Sequence, residues 1–570
     1  MLKSFKMKIS AAVLCVLLCF AAVPVMAYQP EDALAPKPEK SVYTILRLDN
    51  LGNFLRWLIS EQELKLFAPA AGLDDSMIAM MTGAVKAVPA ESSIIECGIK
   101  DDGNAFAQLI AKMPKALQGK LDLVAKGEAK TEDLIALLLG EDSPVAELGK
   151  LMFDVTKDEA SGLLSLDSQV FFGAKGDLLI ITLSAADVQA ALNAIDKEEH
   201  RMKLERKFKS AKDFMFSHID MNVLEKVAPA DEDVISKKDY EKARAMFDKP
   251  IDGEIAFESL ADRFRISFNV DMSALDERFE KLLTGKPVKG GYITLMGDRA
   301  PLLALGANLD GENLKVAPRS AEFWNEAAKE LKQFGISEQT FMNFFNGPFA
   351  LTVGSSVVSF EGMKAPSVFM TKVGSADSAA EVMKAVVTQA DKLLMPVEAK
   401  GWDSLYQVDT SASPVPVLLG LKGNMLYAGM ADRDSLGAVP NVAGSKQLAE
   451  IMAMNSLGSG YIDFKAVQDY LKADENGIMA MAGMFAPMAV GDKSEAVMAA
   501  VNEVLNAKLS VPSVGFYAPD QGTCIIDFMT VKLDNIEDGL CAKLMKLNKI
   551  INAPAEKQEE KQEEKKEEAK

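Results

Sequence analysis

The sequence predicts an α+β protein of two tandem homologous domains, with largely antiparallel mixed sheets and packed amphipathic helices. Three observations carry that expectation. Segments of one half recur in the same order in the other; short apolar runs are separated by hairpin signals; and longer stretches place apolar residues three and four apart, as one face of a helix requires.

The recurrences begin with Glu63-Leu-Lys-Leu-Phe67, which returns as Glu330-Leu-Lys-Gln-Phe334, and GLDDSMIAMMTG from Gly72, which returns as GISEQTFMNFFNG from Gly335. SSIIECGIKDDGNAFAQLIAKM from Ser92 resembles PSVFMTKVGSADSAAEVMKAV from Pro366. AKGDLLIITLSAADV from Ala174 matches LKGNMLYAGMADRDS from Leu421, with Lys-Gly at the turn of both. FMFSHIDMNVLEKV from Phe214 matches SGYIDFKAVQDYL from Ser459, and the stretch from Ile255 matches that from Val514. The spacing drifts, as loops of unequal length require. The halves are read as 41–285 and 286–550.

Within them, strands are expected at 42–48, 93–99, 178–183 and 214–219, with a hairpin over 254–270. Helices are expected at 102–115, 185–197, 375–393 and 536–549. Four times an apolar strand end is followed by aspartate where a helix begins: Asp49, Asp220, Asp310 and Asp463. Such a carboxylate accepts from first-turn amides and complements the helix dipole, so these are read as structural caps.

The flanks have their own chemistry. Residues 1–27 carry Lys3, Lys6 and Lys8, an apolar run over 9–23, and Val25-Met26-Ala27 at a cleavage position, which reads as an export signal. The apolar run is shorter than the ~20 residues a spanning helix needs, so no integral membrane segment is expected after cleavage. Residues 28–40 read as a linker and 551–570 as a charged low-complexity tail without an apolar stripe. Periplasmic or extracellular placement follows, and the absence of any Asn-x-Ser/Thr sequon fits a bacterial envelope.

With 49% apolar and 25% charged residues the chain has the balance of a globular protein, not a disordered one. Asp and Glu outnumber Lys and Arg by 82 to 63, and a surface that acidic repels phosphate backbones, so no nucleic-acid partner is expected. Outside the leader the cysteines are Cys97, Cys524 and Cys541; Cys524 and Cys541 pair, or all three are small buried apolar residues.

Catalytic chemistry leaves no signature. There is no Gly-x-Ser-x-Gly elbow, and Gly285-Lys-Pro-Val-Lys-Gly-Gly291 lacks both the spacing and the helix of a phosphate loop and reads as a linker. His200 and His218 stand apart in sequence, so no metal site, cofactor or catalytic residue is expected. Three stretches remain for interaction. The segment 476–505 contains GIMAMAGMFAPMAVG, where Met479, Met481, Met484, Phe485 and Met488 form the candidate surface for a protein, peptide or lipid partner, because thioethers adapt to irregular apolar contacts. Its counterpart from Asp231 is strongly charged. The basic segment 200–209 reads as a solvated connector or a contact for anionic headgroups, and the tail as a solvated extension.

SVYTILRLDNLGNFLRWLIS at 41–60 and NGPFALTV at 346–353 resemble segments of exported bacterial proteins of unknown function with a duplicated α+β domain. The resemblance implies an envelope protein of similar build and supplies no active site. Together these readings point to an exported, non-enzymatic binding or scaffold protein of the cell envelope. A hydrolase using carboxylates in a cleft between the halves and a carrier of apolar ligands are the alternatives.

Overall fold

A computed structural model describes residues 32–33, 41–48, 93–100, 105–112, 155–157, 161, 163–166, 170–175, 178–196, 202–223, 249–274, 286–296, 301–309, 326, 329–360, 363–409, 417–430, 446–473, 477–533 and 535–552. The export signal at 1–27, the caps expected from Asp49 and Asp310, His200 and the tail beyond 552 lie outside them. The chain divides into one unit of Met1–Thr284 with Ala518–Asp527, and a second of Gly285–Tyr517 with Phe528–Lys570.

The first unit contains β1 (Asp32–Ala33), β2 (Ser41–Leu48), β3 (Ser93–Lys100), β4 (Ala105–Lys112), β5 (Val155–Lys157), β6 (Leu164–Leu166), β7 (Val170–Lys175) and β8 (Leu178–Thr182). The helix α1 (Ala185–Asp196) follows, then β9 (Met202–Lys203), β10 (Asp213–Ile219), β11 (Ile251–Ser259) and β12 (Arg263–Val270). Its main sheet is antiparallel throughout and runs β5-β6-β7-β8-β4-β3-β2-β10-β11-β12. Tyr43, Ile45, Phe214 and Phe216 alternate along β2 and β10 with Leu204 against them, so the period of two puts one face of each strand into the core. Ile110, Ile180 and Ala191 join α1 to that sheet.

The second unit contains β13 (Pro301–Leu309), α2 (Glu338–Phe345), β14 (Gly347–Phe360), β15 (Met363–Val373), α3 (Ala376–Gln389), β16 (Leu394–Pro396), β17 (Ser404–Val408), β18 (Val417–Lys422) and β19 (Met425–Met430). Then come α4 (Lys446–Ala453), β20 (Gly458–Asp463), α5 (Phe464–Lys472), α6 (Ile478–Val490), α7 (Ser494–Leu505), β21 (Ser513–Ala518) and, after β22 (Thr523–Met529), most of which belongs to the first unit, α8 (Leu540–Asn552). Its strands run β16-β17-β18-β19-β15-β14-β13-β20, again all antiparallel. This is the succession β5-β6-β7-β8-β4-β3-β2-β10 of the first unit, strand for strand.

The molecule is thus a mixed α+β protein with extensive antiparallel sheet. The hairpin signals mark turns: Lys175 pairs with Leu178 and Lys422 with Met425, each pair enclosing two residues, and Gly423 takes the left-handed φ of 60°. Two residues before each of those lysines sits a glycine that close packing demands. A Cβ on Gly173 would lie 2.4 Å from Val188 Cγ1 of α1, and one on Gly420 would lie 2.3 Å from the Trp402 ring.

One expected helix is corrected. Residues 105–112 of the expected helix 102–115 form β4, hydrogen-bonded to β3 on one side and β8 on the other. The apolar spacing of AFAQLIAK fits either period, and a two-sided ladder outweighs helix propensity. Asp102-Gly103 lies between β3 and β4, a hairpin signal that the helical spacing masked. The pairing of Ser92 with Pro366 is out of step for the same reason, since by strand order β3 answers to β14 and β4 to β15.

The segment Lys286–Met296 is also more than a linker. Tyr292 is fully buried, its hydroxyl donates to the Leu457 and Ser456 carbonyls at 2.6 and 3.1 Å, and its ring fills the space a Cβ on Gly306 would need. Burial pushes the Tyr292 hydroxyl pKa upward.

Candidate functional site

The helix α6 reads IMAMAGMFAPMAV, in which no side chain is charged or carries a hydroxyl, amide or ring N–H. It is set by its ends. Gly477 opens it with a left-handed φ of 66°, and the Met481 N–H bonds the Gly477 carbonyl at 3.0 Å. Gly491 closes it with a φ of 57° and gives its N–H to the Pro487 carbonyl. Pro487 itself has no N–H for the carbonyl of Gly483, one turn earlier, which weakens the helix in the middle of its methionines.

Two helices, α5 and α7, pack against α6, and α8 braces α7 in turn. Asp463 accepts from the Ala466 N–H at 2.8 Å and caps α5, which rests on β13 and β14. Gln468 of α5 donates to the Ala507 and Val504 carbonyls at 2.9 and 3.3 Å, satisfying the end of α7. Val497 and Ala500 are the buried residues of α7. Along α8, Lys546 and Lys543 reach Glu503, and the hydrogen bond from Lys546 holds the Glu503 carboxyl below its usual range. Lys493 Nζ donates to the Ile551 carbonyl at 3.1 Å.

With its inner side against α5 and α7, α6 turns the other way outward. Ala486 is buried, whereas Met484, Phe485 and Met488 are 66, 57 and 75% exposed. Met479 and Met481 are half-buried, so the five sequence-named residues are not equally outward. Residues 481, 484, 485 and 488 share a face by their spacing of three, four and seven. Burying a side chain of this size is worth about 1.5–3 kcal/mol. Single exposed apolar residues are ordinary; here adjoining ones with no polar group among them form a continuous apolar face.

The other sequence-named residues fall elsewhere. Asp220, which is buried, accepts from the Asn222 N–H at 2.9 Å beside the turn that begins at 221. The device extends to Asp271 after β12, whose carboxylate accepts from the Ser273 N–H and Oγ at 2.9 and 3.0 Å; Val270-Asp271 carries the same apolar-Asp signal. Ser337 and Ser375 cap α2 and α3. His218 is not solitary: its Nδ1 lies 2.6 Å from Asp252 Oδ1, directly across the β10–β11 ladder, and its ring stacks on Tyr43. Cys524 and Cys541 are free thiols, half-buried and exposed respectively, so neither pairing nor full burial applies to them.

The basic segment also departs from a solvated connector. Arg206 is buried, pairs with the equally buried Glu254 at 3.0 Å and lies 3.6 Å over the Phe214 ring. Glu254 accepts in addition from the Lys207 and Phe208 amides at 2.7 and 3.2 Å. Arg206, Lys207 and Glu254 line a cleft of about 590 Å³ in the first unit, together with Lys209, Asp252 and Asp271. Charges of both signs line it, and its arginine and glutamate satisfy one another.

Among the described residues no group of three His, Cys, Asp or Glu side chains is placed to hold a metal ion. No described helix is long and apolar enough to cross a membrane. Comparison of the chain with family models, curated proteins and solved structures gave no match.

Proposed function

We propose that the chain is an exported, non-enzymatic binding or scaffold protein of a bacterial cell envelope, and that it engages an apolar partner through the outward face of α6. The observation that carries this reading is the exposure of Met484, Phe485 and Met488 on a helix with no polar side chain. Flexible thioethers around one aromatic ring suit a surface that must fit an irregular apolar partner. Export rests on the charged and apolar pattern of residues 1–27.

The same reading takes the chain as one α+β domain used twice. The shared strand succession supports this, as do the matching Lys-Gly hairpins, the glycines 173 and 420, and the corresponding aspartates 220 and 463. A second copy frees one half to keep the fold while the other gains apolar surface, and the charged stretch from Asp231 against the apolar 476–505 is that divergence in sequence.

The test is a photo-crosslinking residue placed at Phe485 in the exported protein, with Leu260, 41% exposed in the first unit, as the control position. A discrete adduct from position 485, lost when Met484 and Met488 become serine, is the expected outcome. Equal adduct yields at the two positions would refute the assignment.

A further inference from the structure

Met481, Met484 and Met488 occupy positions i, i+3 and i+7 of α6, which places three thioether sulfurs along one stripe of the helix. Two of the three side chains are largely exposed and the third is half-buried, so the stripe is open to a solute. The chemistry of the donors is one-sided. From Ile478 to Val490 no side chain offers oxygen, nitrogen or thiolate, so a hard cation finds nothing to replace its water. Thioethers are soft, polarizable donors, and the first-row ion that selects them is Cu(I).

From this arrangement we infer that α6 carries a monovalent soft-metal site, with Met481, Met484 and Met488 as thioether ligands for Cu(I) or its redox-inert analogue Ag(I). Leucine would give the same face equal apolar bulk and, if anything, better helix propensity, so apolar contact alone does not require sulfur here. Gly483, between the first and second ligands, and Pro487, between the second and third, loosen the helix where the sulfurs must converge. Phe485 adjoins Met484 and is itself exposed, which sets an aromatic residue next to the stripe. Neutral ligands leave the single positive charge of the ion uncompensated, which an acidic chain of net −19 tolerates. Thioethers also have no proton to lose, so binding is independent of pH where thiolate and imidazole sites weaken in acid.

This names a ligand class for the face described above and rests on its exposure, not on the existence of a macromolecular partner. The test is a Cu(I) competition titration against bicinchoninate with ascorbate present, on residues 28–570 with Cys97, Cys524 and Cys541 replaced by alanine, so that none of the five cysteines of the sequence remains. One Cu(I) should bind with unchanged affinity between about pH 5 and 8. The triple variant Met481→Leu, Met484→Leu, Met488→Leu, which preserves bulk, should bind at least about tenfold more weakly. In a parallel experiment Ag(I) should shift the ε-methyl resonances of these three methionines and leave that of buried Met342 in place. Equal competition by parent and leucine variant, or methyl shifts spread over unrelated methionines, would overturn the site. The leucine variant also separates the two readings: crosslinking from position 485 that survives leucine while Cu(I) binding is lost marks an apolar partner that does not need the metal. Cu(I) binding without any crosslink leaves the metal site standing and removes the partner.

Discussion

Lys372 is the least expected side chain in the second unit. It is 5% exposed, and its ammonium donates to the Val373, Gly347 and Asn346 carbonyls at 2.7, 2.9 and 3.3 Å, beyond the C-terminal end of α2. Burial lowers its pKa from 10.5 to about 8. Because the folded-state pKa is depressed, the folded chain releases its proton first. Stability therefore rises with pH between about 8 and 10.5, where the unfolded chain still holds its proton. Urea unfolding across that interval should show the parent gaining about 3 kcal/mol relative to Lys372→Met, a slope the variant lacks. Asp527 gives a second test at this scale. It is fully buried and accepts from Arg265 at 2.7 and 2.9 Å, with Arg263 at 3.4 Å. Asp527→Asn should cost about 1.5–3 kcal/mol in chemical denaturation, since it removes the charge from a buried acceptor of hydrogen bonds from two partly buried arginines. Neither group was legible in the sequence. Arg265 and Asp527 are 262 residues apart, and only strand pairing brings them together. The carboxylate of Asp463, by contrast, serves an amide only three residues on, within reach of a local sequence pattern.

Elements with a single dominant period read correctly. The strands at β2, β3, β8, β10 and the β11–β12 hairpin, and the helices α1, α3 and α8, fall within a few residues of their expected places. β4 did not, because AFAQLIAK satisfies two periods and its neighbours in space decide between them. The methionine content of α6 was visible in sequence, but which methionines face outward depends on α5 and α7, which the periodicity of an all-apolar helix cannot show. Its support makes a prediction of its own. Asp463→Ala removes the cap of α5 and should lower stability by about 1 kcal/mol, with increased hydrogen exchange at the Ala466 amide. Gly173→Ala should cost more, because the new methyl meets Val188 at a distance no packed carbon occupies.

At the scale of the whole molecule, the first unit is not made by the first half of the chain alone. Ala518–Asp527 belongs to it: the Val270 amide bonds the Gly522 carbonyl at 2.9 Å, Asn269 meets Thr523 Oγ1 at 3.0 Å, and Asp527 supplies the arginine pair. A fragment of residues 28–284 should therefore melt below the first transition of 28–570, and a peptide of residues 513–529 added in trans should raise its melting temperature. A fragment as stable as the longer chain would show that this segment contributes little. This return of the chain was not readable in the sequence, because it depends on which sheet edge the last hairpin meets.

The proposed role depends on one physical claim, that the α6 face is open surface in the free protein. Methionine oxidation by dilute peroxide, followed by peptide mass spectrometry, measures it directly, since sulfoxide forms fastest where the thioether is exposed. Met484 and Met488, 66 and 75% exposed, should oxidise first, well ahead of Met296, Met342 and Met452, which are 2% exposed or less. Oxidation of Met484 and Met488 no faster than those buried methionines would contradict the account.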